Sequence, residues 1–370
     1  MKNTKEDVAY INSTYREEDV IFLLKDLSNF NLEGATEERE ARVQRGEHYS
    51  ESLPLEYQPP SAYMHLYYDA LQDYKKKVAL YIGVLAEQIY HKNGKNTVLV
   101  SLARAGTPIG ILIRRYLIFK YNVTIPHYSI SIIRGKGFDS NAVKYIIHEH
   151  PNKTIQFVDG WSGKGAISKE LTHSCEKFFS ETGIELNDTL ALLADPGHCS
   201  TLYGTRDDFL IPNACLNSTV TGLVSRTVLN SAYIGPADFH GAKFYQELKE
   251  ADVSNQYVDV ITEEFEGIKA NASLRAQILL EDSNSATFKG LETVKEMMGV
   301  FEISNINFIK PGVGETTRVL LRRVPWKILI KDFNSPYIKH ILLLAEERKV
   351  EIVHYPDMDY TCCGLIKPLN

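Results

Sequence analysis

The chain has 370 residues, 44% of them hydrophobic, and a formal net charge of −6 at pH 7. That length can bury a large core and suits two domains, and the acidic balance excludes a general nucleic-acid coat. Five cysteines without framework spacing argue against disulfides, and the charged start Met1-Lys2-Asn3-Thr4-Lys5 has no apolar leader, so a soluble cytoplasmic protein is expected.

Residues 1–60 form a polar lead-in with one apolar segment, Val20 to Leu24, and a charged run from Glu37 to Arg45. Apolar residues at Ala79, Leu80, Ile82, Leu85 and Ile89 share one face and predict a long helix from Tyr63 to His91. A strand at Thr97 to Val100 precedes a helix from Pro108 to Lys120, opened by its proline. The apolar run around them is broken by Arg104, Arg114 and Arg115, so it is not a membrane span. Strand and helix then alternate: His127 to Ile133, Ser140 to His148, Thr154 to Val158, Lys164 to Ser180, and Thr189 to Leu193. Alternation at this spacing predicts an α/β fold with a mostly parallel sheet and helices on both faces. Glu247 to Ala276 reads as helical, and Glu281 to Ser285 as a linker. The domains expected are 1–282 and 283–370, the second a smaller α/β unit. Its elements are a helix near Glu292, a strand at Asn307 to Ile309, a helix at Thr316 to Arg322, a strand at Trp326 to Ile330, a helix at Pro336 to Arg348 and a strand at Val350 to Val353.

One stretch carries most of the chemistry. After the strand Thr154 to Val158, the chain reads Asp159-Gly160-Trp161-Ser162-Gly163-Lys164-Gly165-Ala166 and enters a helix. Small residues at a helix start let backbone amides close around an anion, and a carboxylate at the strand's end faces the same crevice. The pair suits a phosphorylated ribose. The ATP-type P-loop is excluded because Val158 stands where its first glycine belongs and Gly165 follows Lys164. An earlier loop, Ser101-Leu102-Ala103-Arg104-Ala105-Gly106-Thr107-Pro108, offers a second anion site centred on Arg104. Arg134-Gly135-Lys136-Gly137 has the composition of a mobile cationic loop, and Asp195 ends a later strand.

These loops resemble the phosphoribosyltransferase family. More closely, the segments from Ser101, His127 and Val158, with Asp207-Asp208 and Asp238-Phe239-His240-Gly241, resemble its branch linked to tellurite-resistance operons, often labelled a StiP-type cysteine protease. Phe308-Ile309-Lys310-Pro311-Gly312-Val313-Gly314-Glu315 resembles a pelota-type RNA-binding domain. The resemblance implies a type I phosphoribosyltransferase-like sheet and a Mg²⁺-dependent transfer of ribose 5-phosphate from phosphoribosyl pyrophosphate to an unknown base-like acceptor, in stress-linked nucleoside biosynthesis. In that scheme Asp159 accepts from ribose hydroxyls. Ser162, Gly163, Lys164, Gly165 and Ala166 hold the 5′-phosphate, and Arg104, Ala105, Gly106 and Thr107 hold the pyrophosphate. Mg²⁺ bridges substrate oxygens, Arg134 and Lys136 close over the diphosphate, and Asp195 faces the acceptor. The family usually has two adjacent acids, and here Gly160 replaces the second.

Two other readings stand beside it. The C-terminal segment has 12 Lys and Arg against 10 acids from Ser285 onward, and Lys310, Arg318, Arg322 and Arg323 are its candidate RNA contacts. A non-catalytic RNA-binding or nucleotide-sensing protein is therefore the main alternative. Proteolysis needs a Cys within reach of a His, and neither His173 with Cys175 nor His198 with Cys199 has that arrangement in a known local signature, so the thiols read as structural.

Overall fold

The structure, a computed structural model, describes residues 10–34, 47–282 and 285–366. Its centre is a six-stranded parallel sheet. The strands are β1 (Ile21–Phe22), β2 (Thr97–Leu102), β3 (His127–Ile130), β4 (Thr154–Trp161), β5 (Ala191–Ala194) and β6 (Leu202–Thr205). They lie in the order β1-β3-β2-β4-β5-β6, all neighbours parallel. Every residue of β2 is buried, which is why Val98, Leu99 and Val100 form a continuous apolar run rather than an alternating one. Helices α1 (Ser61–Asn93), α2 (Gly106–Tyr121), α3 (Ser140–Glu149) and α4 (Ala166–Thr182) connect or cover the strands. The Asp139 carboxylate starts α3 by accepting from the amides of Asn141 and Ala142.

Three local expectations change. The strand expected at His127 to Ile133 stops at Ile130, and Ile132–Ile133 pairs back on Gly137–Phe138 as a small hairpin. The long helix expected at Glu247 to Ala276 becomes a 3-10 turn at Gln246–Ala251, α5 (Ser254–Thr262) and α6 (Phe265–Glu281). The break falls where the Asp252 side chain accepts from the Ser254 amide, a local bond that competes with helix continuation. The lead-in supplies β1, whose Ile21 and Phe22 register with Tyr128 and Ser129 at the sheet's edge. The charged run expected from Glu37 to Arg45 lies outside the described residues.

The C-terminal domain has α7 (Lys289–Val300), β7 (Ile309–Pro311), α8 (Val313–Arg322), β8 (Pro325–Ile330), α9 (Lys339–Glu347), β9 (Glu351–His354) and β10 (Cys362–Ile366). Its sheet order is β7-β10-β8-β9, with β10 antiparallel to both neighbours. No strand was expected at Cys362 to Ile366, yet it is the inner strand that joins β7 to β8.

The two domains share a core. Val78, Ile82 and Ile109 of the larger one form a single buried cluster with Val313, Leu320, Ile328 and Ile341 of the smaller. Polar contacts seal the seam: the Asp208 carboxylate accepts from the amides of Val313 (2.8 Å) and Thr361 (2.8 Å), and Arg322 donates to the carbonyl of Cys215 (2.6 Å). A fragment ending at Asp282 would lose that apolar face. It is expected to melt without a sharp transition and to bind a hydrophobic dye, and a fragment melting as cooperatively as the whole chain would contradict this. Leu320→Ala in the full chain is expected to cost about 2–5 kcal/mol, read by denaturant unfolding.

Candidate functional site at the carboxyl edge of the sheet

From β2 the chain crosses to β3 on one side, while β4 lies on the other. The carboxyl ends of β2 and β4 therefore flank a topological switch point, where open α/β sheets form ligand crevices. The Arg104 loop and the Asp159 turn both leave from this edge, as the sequence predicts. They touch: a Cβ added at Gly106 would lie 2.4 Å from the Val158 carbonyl, and one at Gly160 would lie 3.3 Å from the Ala105 carbonyl. Only glycine permits that backbone approach at Gly106.

A polar group that the sequence reading missed braces the loop from beneath. The two ring nitrogens of His127 lie 2.8 Å from the Asp19 carbonyl and 2.8 Å from Ser101 Oγ, and Thr107 Oγ1 lies 2.8 Å from Ser129 Oγ. Burial pushes His127 down to about 4, so it is neutral at physiological pH. The signal was His127 at a strand start, where a polar residue on a buried strand needs a partner.

The expected site residues divide. Asp159 is 9% exposed and Ser162 7%. The Asp159 carboxylate accepts from the Gly160 amide at 2.7 Å, and burial pushes it up to about 7. Gly165 precedes α4 with φ +74°, and a Cβ there would lie 2.6 Å from the Phe288 ring. Gly165, within the run expected to offer the amides of Gly163 to Ala166 to a phosphate, is thus covered by the C-terminal domain, whereas Ala166 is exposed. Tyr360 donates to the Gly163 carbonyl at 3.0 Å, adding to the cover. Lys164 does not project toward a sugar phosphate: its ammonium donates to the carbonyls of Ile306 (2.7 Å) and Ile309 (3.1 Å). Burial, then Lys310, push it down to about 8.

Arg104 turns away from the Asp159 turn toward the Val224 carbonyl (3.2 Å) and the Glu56 carboxylate (3.9 Å). Arg134 and Lys136 occupy the exposed tip of the small hairpin, and Arg134 reaches Asn307 at 3.5 Å. Asp195 is fully buried and occupied internally: it accepts from the amides of Cys199 and Ser200 and pairs with Arg206. Both of its carboxylate oxygens are thus engaged within the protein. Among the RNA candidates, Arg322 binds Cys215 and Asn217 across the seam, whereas Arg323 is exposed.

All five cysteines are buried and free. Burial pushes Cys175, Cys199, Cys215 and Cys363 up to about 12, and raises Cys362 well above the ordinary value. Cys199 is the one in a loop at the sheet's carboxyl edge. Its sulfur lies 3.3 Å from the Gly197 carbonyl, and the neighbouring His198 accepts from the Phe288 amide at 2.9 Å through its carbonyl. Among the described residues, no group of three or more His, Cys, Asp or Glu is placed to hold a metal ion. No helix among them is long and apolar enough to cross a membrane.

Fold and edge loops together define a parallel-sheet α/β protein with a second, docked α/β domain. Residues 13–262 match the family described as tellurite-like stress resistance cysteine protease StiP, and residues 288–368 match the PELOTA RNA binding domain. A curated relative, "Cysteine protease StiP" of Acinetobacter baylyi, is 33% identical over 371 residues, covering 97% of this chain and 95% of that protein. The chain belongs to the StiP family. A solved structure described as a hypothetical protein from Neisseria gonorrhoeae with bound ppGpp aligns at 17% identity over 32% of this chain and 66% of that one, with a TM-score of 0.22, a likeness too slight to bear on fold or ligand.

Membership overturns the phosphoribosyltransferase expectation, since family and relative alike are described as cysteine proteases. The geometry fits that correction: Lys164 and Asp195 are occupied within the protein, and Arg104 is turned aside. The Mg²⁺ and base-like acceptor belonged to the same scheme.

Asp159 offers a test independent of any ligand. A carboxyl raised from 3.8 to about 7 stabilises the fold fully below its unfolded value, and that contribution is lost as pH rises through 7. Asp159→Asn is therefore expected to raise stability near pH 8 by about 1–3 kcal/mol and to leave it nearly unchanged in acid, as read by unfolding curves at both pH values.

Proposed function

We propose that this StiP-family chain binds RNA through its C-terminal domain. The observation that carries the reading is an exposed aromatic and cationic face on the domain that matches an RNA-binding family. Phe333 is 48% exposed, its ring 5.6 Å from that of His354, with exposed Lys331 beside them. Exposed rings of this kind stack on unpaired bases, and nearby cations hold the backbone. Exposed Arg323 and half-buried Arg318 add positive charge on α8 and at its end. Fluorescence anisotropy with a single-stranded RNA is expected to show binding that weakens steeply with salt. Phe333→Ala is expected to cost about 1–3 kcal/mol of binding. Equal affinity for duplex DNA, or no effect of Phe333→Ala, would defeat the reading.

Peptide-bond cleavage is a second reading, taken from the relative's name and favoured by the placement of Cys199 beside His198 at the crevice edge. A nucleophilic thiol must ionise, and Cys199 is buried and protonated in this conformation, so cleavage would require the C-terminal cover to lift. If the reading is right, a peptide-cleaving activity of the full chain is abolished by Cys199→Ser and unchanged by Cys175→Ser on α4. Activity surviving in Cys199→Ser would dismiss this site.

A further inference from the structure

Positive charge gathers from both domains where they meet. Lys164 and Arg134 of the larger domain both reach the segment 306–311 of the smaller, through the carbonyls of Ile306 and Ile309 and the side chain of Asn307. Lys310 lies within that segment, and Arg318 on α8 sits 3.4 Å from Glu315. Half-buried Glu315 is held below the ordinary carboxylate range by Arg318, Lys310, Lys164 and Arg134, so four cations act on one acid. Three positive charges remain beyond what Glu315 balances. Burial then holds Lys310 below its ordinary value, with Arg134, Arg323 and Arg318 adding to the effect. Like charges at partial burial repel and lose hydration, a cost that a bound polyanion removes.

We infer that this junction is a binding site for an oligophosphate, a short run of adjacent phosphates held by Lys310, Arg134 and Arg318, with Lys164 adding its charge while tied to the Ile306 and Ile309 carbonyls. The inference goes beyond the single-stranded RNA reading, because a free nucleotide and the 5′-triphosphate end of an RNA carry the same chemistry. Phe333 and Lys331 are not among the residues of this junction. Glu315 is then a built-in counter-charge that keeps the cluster folded when no ligand is present, and it competes with the ligand when one arrives.

Calorimetry on the full chain with inorganic tripolyphosphate tests this. Binding is expected at low ionic strength, weakened roughly tenfold by Lys310→Gln and by Arg318→Gln. Lys331→Gln should leave it unchanged, and Glu315→Gln should tighten it several-fold. The last is the decisive variant, since a merely structural cluster gives no reason for affinity to rise when its acid is removed. Thermal melts of each variant confirm that the fold is kept. No binding at millimolar tripolyphosphate, or weakening by Lys331→Gln equal to that by Lys310→Gln, would overturn the site. Displacement by a nucleoside triphosphate alone assigns the free nucleotide as the source. Displacement by 5′-triphosphorylated but not 5′-hydroxyl RNA assigns the RNA end, and displacement by neither overturns the inference. Tripolyphosphate binding without any RNA affinity would sink the RNA reading and leave this one standing.

Discussion

The carboxylate of Asp208 accepts from the amides of Val313 and Thr361, two chain segments far apart in sequence but adjacent in the C-terminal domain. Through it the larger domain caps the start of α8 and anchors the approach to β10 at the same time. Backbone amides at a helix start have no partner of their own, so this bond serves the smaller domain's stability and fixes its orientation. Burial pushes Asp208 up to about 6, yet the bonds from the Val313 and Thr361 amides favour its charged form. The roof over Gly163 and Gly165, the lysine at the seam and the cation cluster all follow from this docking.

How far the sequence reached can be judged at individual elements. Parallel β2 and β4, and the meeting of their loops, were legible because apolar runs followed by small residues determine both strand and turn. The strand β10 was not: Cys362-Cys363-Gly364 has neither alternation nor β-branched residues, and it is a strand because two others pair with it. The split between α5 and α6 was hidden because helical periodicity carries across it. Lys164 shows the limit for the site. Its place in a Gly-rich turn was evident, but its partners lie about 140 residues onward, and no local pattern announces them.

The thiols show a different limit. Sequence spacing gave no cysteine–histidine signature, and the structure buries each sulfur, yet the family is named for cysteine chemistry. What separates Cys199 from the other four is its surroundings: a loop tied down by Asp195 and covered by Phe288. Reactivity at such a position depends on the cover as much as on the residue.

Gly312, where the smaller domain meets Asp208, has φ +92°, and a Cβ there would lie 3.1 Å from the carboxylate. The seam thus admits neither a side chain nor an ordinary backbone at that point. Although its C-terminal part matches a domain family of its own, this chain is not modular in the way that match suggests. A pelota-type domain transplanted from another protein would have to bring a glycine to the same place and an apolar face shaped for α1, so the two halves are constrained to diverge together.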